Sequence, residues 1–190
     1  SGGFQVFSLA KLAKVSREGV SFQSHIDGKS FFLSPEDVVD LQLGFGSDVI
    51  MPLDECVEFL ATEERTREAV ELTLDWAKRS KEQFMRSQRA SASLLFGIVQ
   101  GSIFPKLRRY CAEELCGLDL PGYAIGGVSV GESQELILQA FEVTLPYLPQ
   151  DKPRYLMGVG KPEDLIESVR CGIDMFDCVI PSRNGRNGTA

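Results

Sequence analysis

Five short apolar runs limit what this chain can fold into: Asp48 to Leu53, Leu94 to Val99, Gly122 to Ile125, Arg154 to Met157 and Met175 to Ile180. None alternates apolar with polar residues, as a strand with one wet face would. Continuous apolar strands are buried on both sides, and each gap between these runs carries a helix signal. Ser34-Pro35-Glu36-Asp37 opens a helix to about Gly44, with a hydroxyl cap, a proline in the first turn and acids behind it. Thr62 opens an amphipathic helix to about Met85, further helices are expected over Pro105 to Leu115 and Pro162 to Arg170, and Ser133 caps one running to Leu145. Strands alternating with helices predict an α/β fold with a parallel sheet. Before the series, Lys14 to Gln23 and Ser30 to Leu33 are β-prone and flank Asp27-Gly28, a hairpin turn signal.

Pattern alone leaves open sheet and closed barrel both possible. What favours the barrel is where the polar and glycine residues fall: Asp54, Gln100, Gly127, Met157 with Gly158, and Asp177 all sit at or near C-terminal strand ends. In a (β/α)8 TIM-type barrel that rim carries the active site, assembled from several strands.

At 190 residues the chain has the size of one domain, and no apolar run nears the roughly 20 residues of a membrane span. No secretory signal opens it, and five cysteines without CxxC pairing read as reduced thiols of a cytoplasmic protein. A net charge of −7 argues against general nucleic-acid binding, so any RNA contact needs local basic patches. Lys78, Arg79 and Lys81, or Lys106, Arg108 and Arg109, read first as solvated helix faces; Arg183 and Arg186 stand in an Arg/Asn/Gly-rich tail suited to phosphates and base edges. Directly before that tail, Asp177 lies inside the apolar run Met175 to Ile180. A carboxylate buried there must be paired, solvated in a cleft or at work.

Six stretches resemble the tRNA-guanine transglycosylases, the queuine/preQ1 tRNA-ribosyltransferases, of bacterial type. They are Ser1-Gly-Gly-Phe-Gln-Val-Phe-Ser-Leu9, Gly46-Ser-Asp-Val-Ile-Met-Pro-Leu-Asp-Glu-Cys56, Phe96-Gly-Ile-Val-Gln-Gly101, Gly126-Gly-Val-Ser-Val-Gly-Glu132, Arg154-Tyr-Leu-Met-Gly-Val-Gly-Lys-Pro-Glu-Asp164 and Phe176-Asp-Cys-Val-Ile-Pro-Ser-Arg-Asn-Gly-Arg-Asn-Gly188. The resemblance implies a (β/α)8 barrel interrupted by a zinc subdomain, of which this chain would be a middle portion. It also implies exchange of guanine at the wobble position of tRNA for a 7-deazaguanine, within queuosine biosynthesis.

Residue by residue, Asp177 matches the family's nucleophile, which forms a covalent ribosyl ester. Asp54 matches the acceptor for guanine N1–H and N2–H2, while its neighbour Glu55 points elsewhere. Gln100 and the Gly127 N–H match the donors to O6. Phe4 and Met157 match the two faces of a base sandwich. Ser1, Gly2, Gly3, Val128 and Glu132 fall in base-binding stretches, although Glu132 also reads as an acid beside a helix cap. Gly158, Val159, Gly160, Lys161, Pro162, Glu163 and Asp164, with the loop Ser182, Arg183, Asn184, Gly185 and Arg186, match segments that contact the anticodon loop of a tRNA with a GUN-type anticodon. Asp174 reads as a turn residue.

The family's catalytic aspartate before Ser-Gly-Gly-Phe and its zinc ligands, three cysteines and a histidine, match no position in the chain. His25 is no substitute. The chain therefore reads as a fragment, inactive alone, of a homodimeric enzyme whose Zn2+ is bound elsewhere. The resemblance leaves a non-catalytic partner subunit as an alternative, and a barrel hydrolase of small nucleosides as a more distant one.

Overall fold

The computed structural model describes residues 13–24, 26–128, 131 and 133–189. Strands β1 (Ala13–Ser16), β2 (Gly19–Gln23) and β3 (Ser30–Leu33) form an antiparallel sheet in sequence order. The β-prone segment from Lys14 is thus two strands, because Arg17-Glu18 turns the chain and Gly19 follows at φ +154°, where a Cβ would lie 2.2 Å from the Leu33 carbonyl oxygen. Helix α1 (Pro35–Phe45) starts as expected, with Ser34 and Asp37 in a reciprocal capping box and Gly46 closing it at φ +72°. Strand β4 (Val49–Ile50) is shorter than the apolar run because Gln42 of α1 takes over its continuation. The Gln42 amide donates to the Met51 carbonyl at 2.7 Å and accepts from the Met51 N–H at 3.0 Å, as a neighbouring strand would.

Helix α2 (Glu63–Arg86), capped by Thr62, supports both layers. Its Trp76 is fully buried against Val20, Val38 and Leu53, with the indole N–H donating to the Arg17 carbonyl at 2.9 Å. Arg79 pairs with Glu36 at 2.7 Å and reaches the Arg17 and Glu18 carbonyls. Lys78 faces Glu114, and Lys81 donates to the Leu118 carbonyl. The first basic group therefore ties elements together.

The run Leu94 to Val99 splits at Phe96 into β5 (Leu94–Leu95) and β6 (Gly97–Val99). β5 pairs with β4, and the Phe96 N–H still donates to the Ile50 carbonyl. β6 then turns to the other neighbour, with the Gly97 N–H donating to the Gly122 carbonyl. Helix α3 (Pro105–Cys116), β7 (Tyr123–Ile125), α4 (Gln134–Glu142), β8 (Arg154–Leu156), α5 (Pro162–Arg170), β9 (Met175–Phe176) and α6 (Ile180–Asn187) follow. Strands β6, β7, β8 and β9 make one parallel sheet in sequence order, and β4 pairs parallel with β5. The fold is α/β, with parallel strands joined by helices.

The end of the chain departs from expectation. The strand stops at Phe176, and the segment read as a loop is helix α6, with Pro181 in its first turn and Gly188 closing it at φ +64°. Proline has no N–H for a strand ladder, but its fixed φ suits a helix start, and glycine ends helices cheaply in the left-handed region.

Both faces of the parallel sheet are occupied, and the register says by what. Val99, Ile125, Leu156 and Phe176 lie side by side and face the helices, in a core with Val70, Leu74, Leu107, Leu115 and Phe141. Their alternates Ile98, Ala124, Tyr155 and Met175 also lie side by side and pack with Met51, Phe96 and Met157 on the opposite face.

Candidate active site

One residue beyond the last paired level, the same inner face reaches Gln100, Gly126, Met157 and Asp177, at the C-terminal ends of four adjacent strands. The site is built on this row.

Asp177 follows β9 directly and is exposed, not enclosed in a strand. Its Oδ1 accepts from the Tyr155 hydroxyl at 2.6 Å and from the Gly158 N–H at 3.0 Å, while Oδ2 accepts from no described residue. One carboxylate oxygen is fixed by two donors and the other is presented. Burial first, then the hydrogen bond to Asp177 and its charge, push the Tyr155 phenol well above its usual range, so Tyr155 is held as a donor. Met157 is half-buried beside this pair. Cys178 packs under the Gly158 to Gly160 turn so closely that a Cβ on Gly160 would lie 2.0 Å from its Sγ. Asp174 sits before β9 and accepts from the Arg154 N–H at 2.9 Å, a turn role as expected.

Asp54 and Gln100 form a second, buried group, 5% and 2% exposed, with the Gln100 amide donating to Asp54 Oδ2 at 2.8 Å. Two contacts aim Asp54. The Glu55 N–H donates to Thr73 of α2 at 3.0 Å, and the Glu55 carboxylate turns away to pair with Arg65. Gln100 is tied to α3, its N–H donating to Cys111 Sγ at 3.3 Å. Gly127 completes the group at φ +62°, where a Cβ would lie 2.3 Å from Gln100 Oε1. The Gly127 N–H donates to no described residue. Val128, directly after, is buried in the core against the helices.

Of the expected RNA-facing segments, Gly158, Lys161, Pro162 and Glu163 are exposed, Gly160 is half-buried, and Val159 and Asp164 are buried beneath them. In the last segment Ser182, Arg183, Gly185 and Arg186 are exposed on α6 and Asn184 is half-buried. Arg183 and Arg186, three apart, share one helix face, and neither pairs with a described acidic residue. Ser1, Gly2, Gly3, Phe4, His25 and Glu132 lie outside the described residues. Among the described residues no three His, Cys, Asp or Glu side chains are grouped to hold a metal ion, and none of the five cysteines is paired with another.

Two residues, Tyr155 in the site and Arg108 behind it, lie outside the expected set. Tyr155 is detectable in principle, since it stands two residues before Met157 on the same strand face. Arg108, which with Lys106 and Arg109 reads as a solvated helix face, is fully buried. Positions 108, 111, 112 and 115 form the i, i+3, i+4, i+7 stripe of α3, and a charge on an apolar stripe was the available signal.

The molecule is thus an α/β protein with carboxylate, amide and glycine groups gathered at the C-terminal ends of a parallel sheet. The chain belongs to the queuine tRNA-ribosyltransferase family, whose model matches residues 1–190. It is 54% identical over 189 residues to the queuine tRNA-ribosyltransferase of Caldanaerobacter subterraneus subsp. tengcongensis, covering 100% of this chain and 50% of that protein. It is 55% identical over 188 residues to that of Actinobacillus pleuropneumoniae serotype 3, covering 99% and 49%. Identity to the queuine tRNA-ribosyltransferase of a Thermoanaerobacter species is 51% over 189 residues, covering 100% and 50%. The chain spans about half the length of these relatives.

Proposed function

We propose that this chain carries the base-exchange site of a tRNA-guanine transglycosylase, which replaces guanine at the wobble position with a 7-deazaguanine such as preQ1 or queuine. The observation that carries the reading is the state of Asp177: one oxygen fixed by Tyr155 and Gly158, the other presented at the rim beside Met157. The fixed carboxylate suits attack on an oxocarbenium-like ribose centre. Asp177 Oδ2 bonds to ribose C1′ as the C1′–N9 bond breaks, and guanine leaves with the electron pair and takes a proton at N9. An incoming deazaguanine gives up its corresponding proton, bonds to C1′ and displaces the ester, returning Asp177 as a carboxylate. The base that moves these protons is, by family resemblance, an aspartate outside this chain.

Asp54 accepts from the guanine N1–H and N2–H2, Gln100 and the Gly127 N–H donate to O6, and Met157 covers one face of the ring with Phe4 on the other. Gly126 and Gly127 let backbone approach the base. By resemblance to the family, Ser1, Gly2, Gly3, Val128 and Glu132 belong to the stretches that form this pocket. The exposed residues of 158–164, together with Arg183 and Arg186, take the anticodon loop. Parallel strands in unbroken sequence order support a (β/α)8 barrel closed by strands beyond this chain. By resemblance to the family, the Zn2+ would be held by three cysteines and a histidine that match no position of this chain, and no step depends on it. A cytoplasmic homodimer completes the proposal. No described helix is long and apolar enough to cross a membrane.

The test is incorporation of labelled guanine into a tRNA with a GUN anticodon by the full-length protein carrying this chain. Incorporation that vanishes when the wobble guanine is replaced by adenine supports the proposal. Tight tRNA binding with no incorporation makes the protein a non-catalytic partner subunit instead.

A further inference from the structure

Arg108 has no part in the exchange as described, yet its guanidinium is buried to 0% exposure behind the site. Burying a cation costs far more than burying an aliphatic chain of the same size, so its position calls for a reason beyond filling space. Its bonds supply one. Nε donates to the Ser102 carbonyl at 2.5 Å, and Nη2 donates to the carbonyls of Gly126 and Gly127, each at 3.2 Å. A single rigid fork thereby joins the turn after β6 to the turn after β7.

Both turns use backbone conformations that residues with a Cβ rarely adopt. Ser102 adopts φ +47°, unusual for a residue with a Cβ, Gly101 lies at φ +138° and Gly127 at φ +62°. Gly101 packs so closely on the start of α3 that a Cβ would meet the Arg108 nitrogen at 2.7 Å. The Gly127 turn in turn leaves the space that Gln100 Oε1 occupies, and Gln100 holds Asp54. A continuous set of contacts runs from Arg108 through the glycine pair to Gln100 and Asp54.

We propose that Arg108 is the positioning residue of the wall that reads the base edge. It fixes the Gly126-Gly127 turn so that the Gly127 N–H and the Gln100 amide converge on the O6 acceptor of the purine. This rests on the reading above that Gln100 and Gly127 face O6. Lysine cannot take its place, because one ammonium cannot span two turns as the planar fork does.

The experiment uses the full-length protein and the inhibition constants of two free bases against labelled-guanine incorporation. Guanine carries O6 and the adjoining N1–H, the edge that this wall reads; 2-aminopurine is the same ring without either. In Arg108→Met the preference for guanine over 2-aminopurine is expected to fall by about tenfold or more, as for loss of an outer partner that orients a binding group. The KM for tRNA should stay within about twofold. Arg108→Lys, which keeps the charge, should lose at least about threefold of the preference. It decides the matter if the methionine variant does not fold. An unchanged preference in a folded variant, with wild-type protein active, overturns this proposal alone. Wild-type protein that neither exchanges nor binds guanine overturns the proposed function with it.

Discussion

At the scale of single residues, the site depends on donors placed around two carboxylates. Asp177 needs no burial to be poised, because Tyr155 and Gly158 fix one of its oxygens while solvent reaches the side chain. Removing the hydroxyl in Tyr155→Phe deletes a 2.6 Å hydrogen bond to a charged acceptor. Such bonds are worth enough that kcat should drop roughly tenfold or more, with little change in KM for the base. Since the folded-state value of Tyr155 is raised, its donor role is complete below the ordinary phenol value of about 10 and fades only as pH rises through the raised value. The loss in Tyr155→Phe should therefore be constant from neutral to mildly alkaline pH, which a pH–rate profile checks. Elsewhere the buried Cys111 thiol is pushed up to about 12 by desolvation, which leaves it as a packing group that accepts from the Gln100 N–H.

At the scale of elements, most of the order was legible. Caps at Ser34, Thr62 and Ser133 and prolines in first turns set the helix starts, and apolar runs located every parallel strand. Strand lengths were not legible, because partners decide them: Gln42 cuts β4 short, and Phe96 hands the chain from one neighbour to the next. The last segment misled because Met175 to Ile180 reads as strand by apolar content, while Pro181 and Gly188 fit helix α6 better. Asp54, Gln100, Gly127 and Asp177 were readable at strand ends. Tyr155 and Arg108 were obscured, one by an apolar run and the other by its charge. Helix α6 sets Arg183 and Arg186 on one helix face, which bears on the proposed contact with tRNA. The double variant Arg183→Ala, Arg186→Ala should weaken tRNA binding and lower the slope of log K against log salt by about one per residue. An unchanged slope would place the RNA elsewhere.

At the scale of the whole molecule, the parallel sheet has one face against helices and the other gathering Ile98, Ala124, Tyr155 and Met175 toward the end where Asp177 sits. An acidic chain of net charge −7 repels RNA at long range, so the proposed tRNA contact has to rest on local geometry and on exposed cations near that end, Lys161, Arg183 and Arg186. The central claim, that Asp177 attacks the ribose, is tested most directly by mixing full-length protein with a GUN tRNA and excess base and running a denaturing gel. The expected result is a slow protein–RNA band that disappears in Asp177→Asn. A band that survives the substitution would contradict the claim and place the nucleophile on another residue.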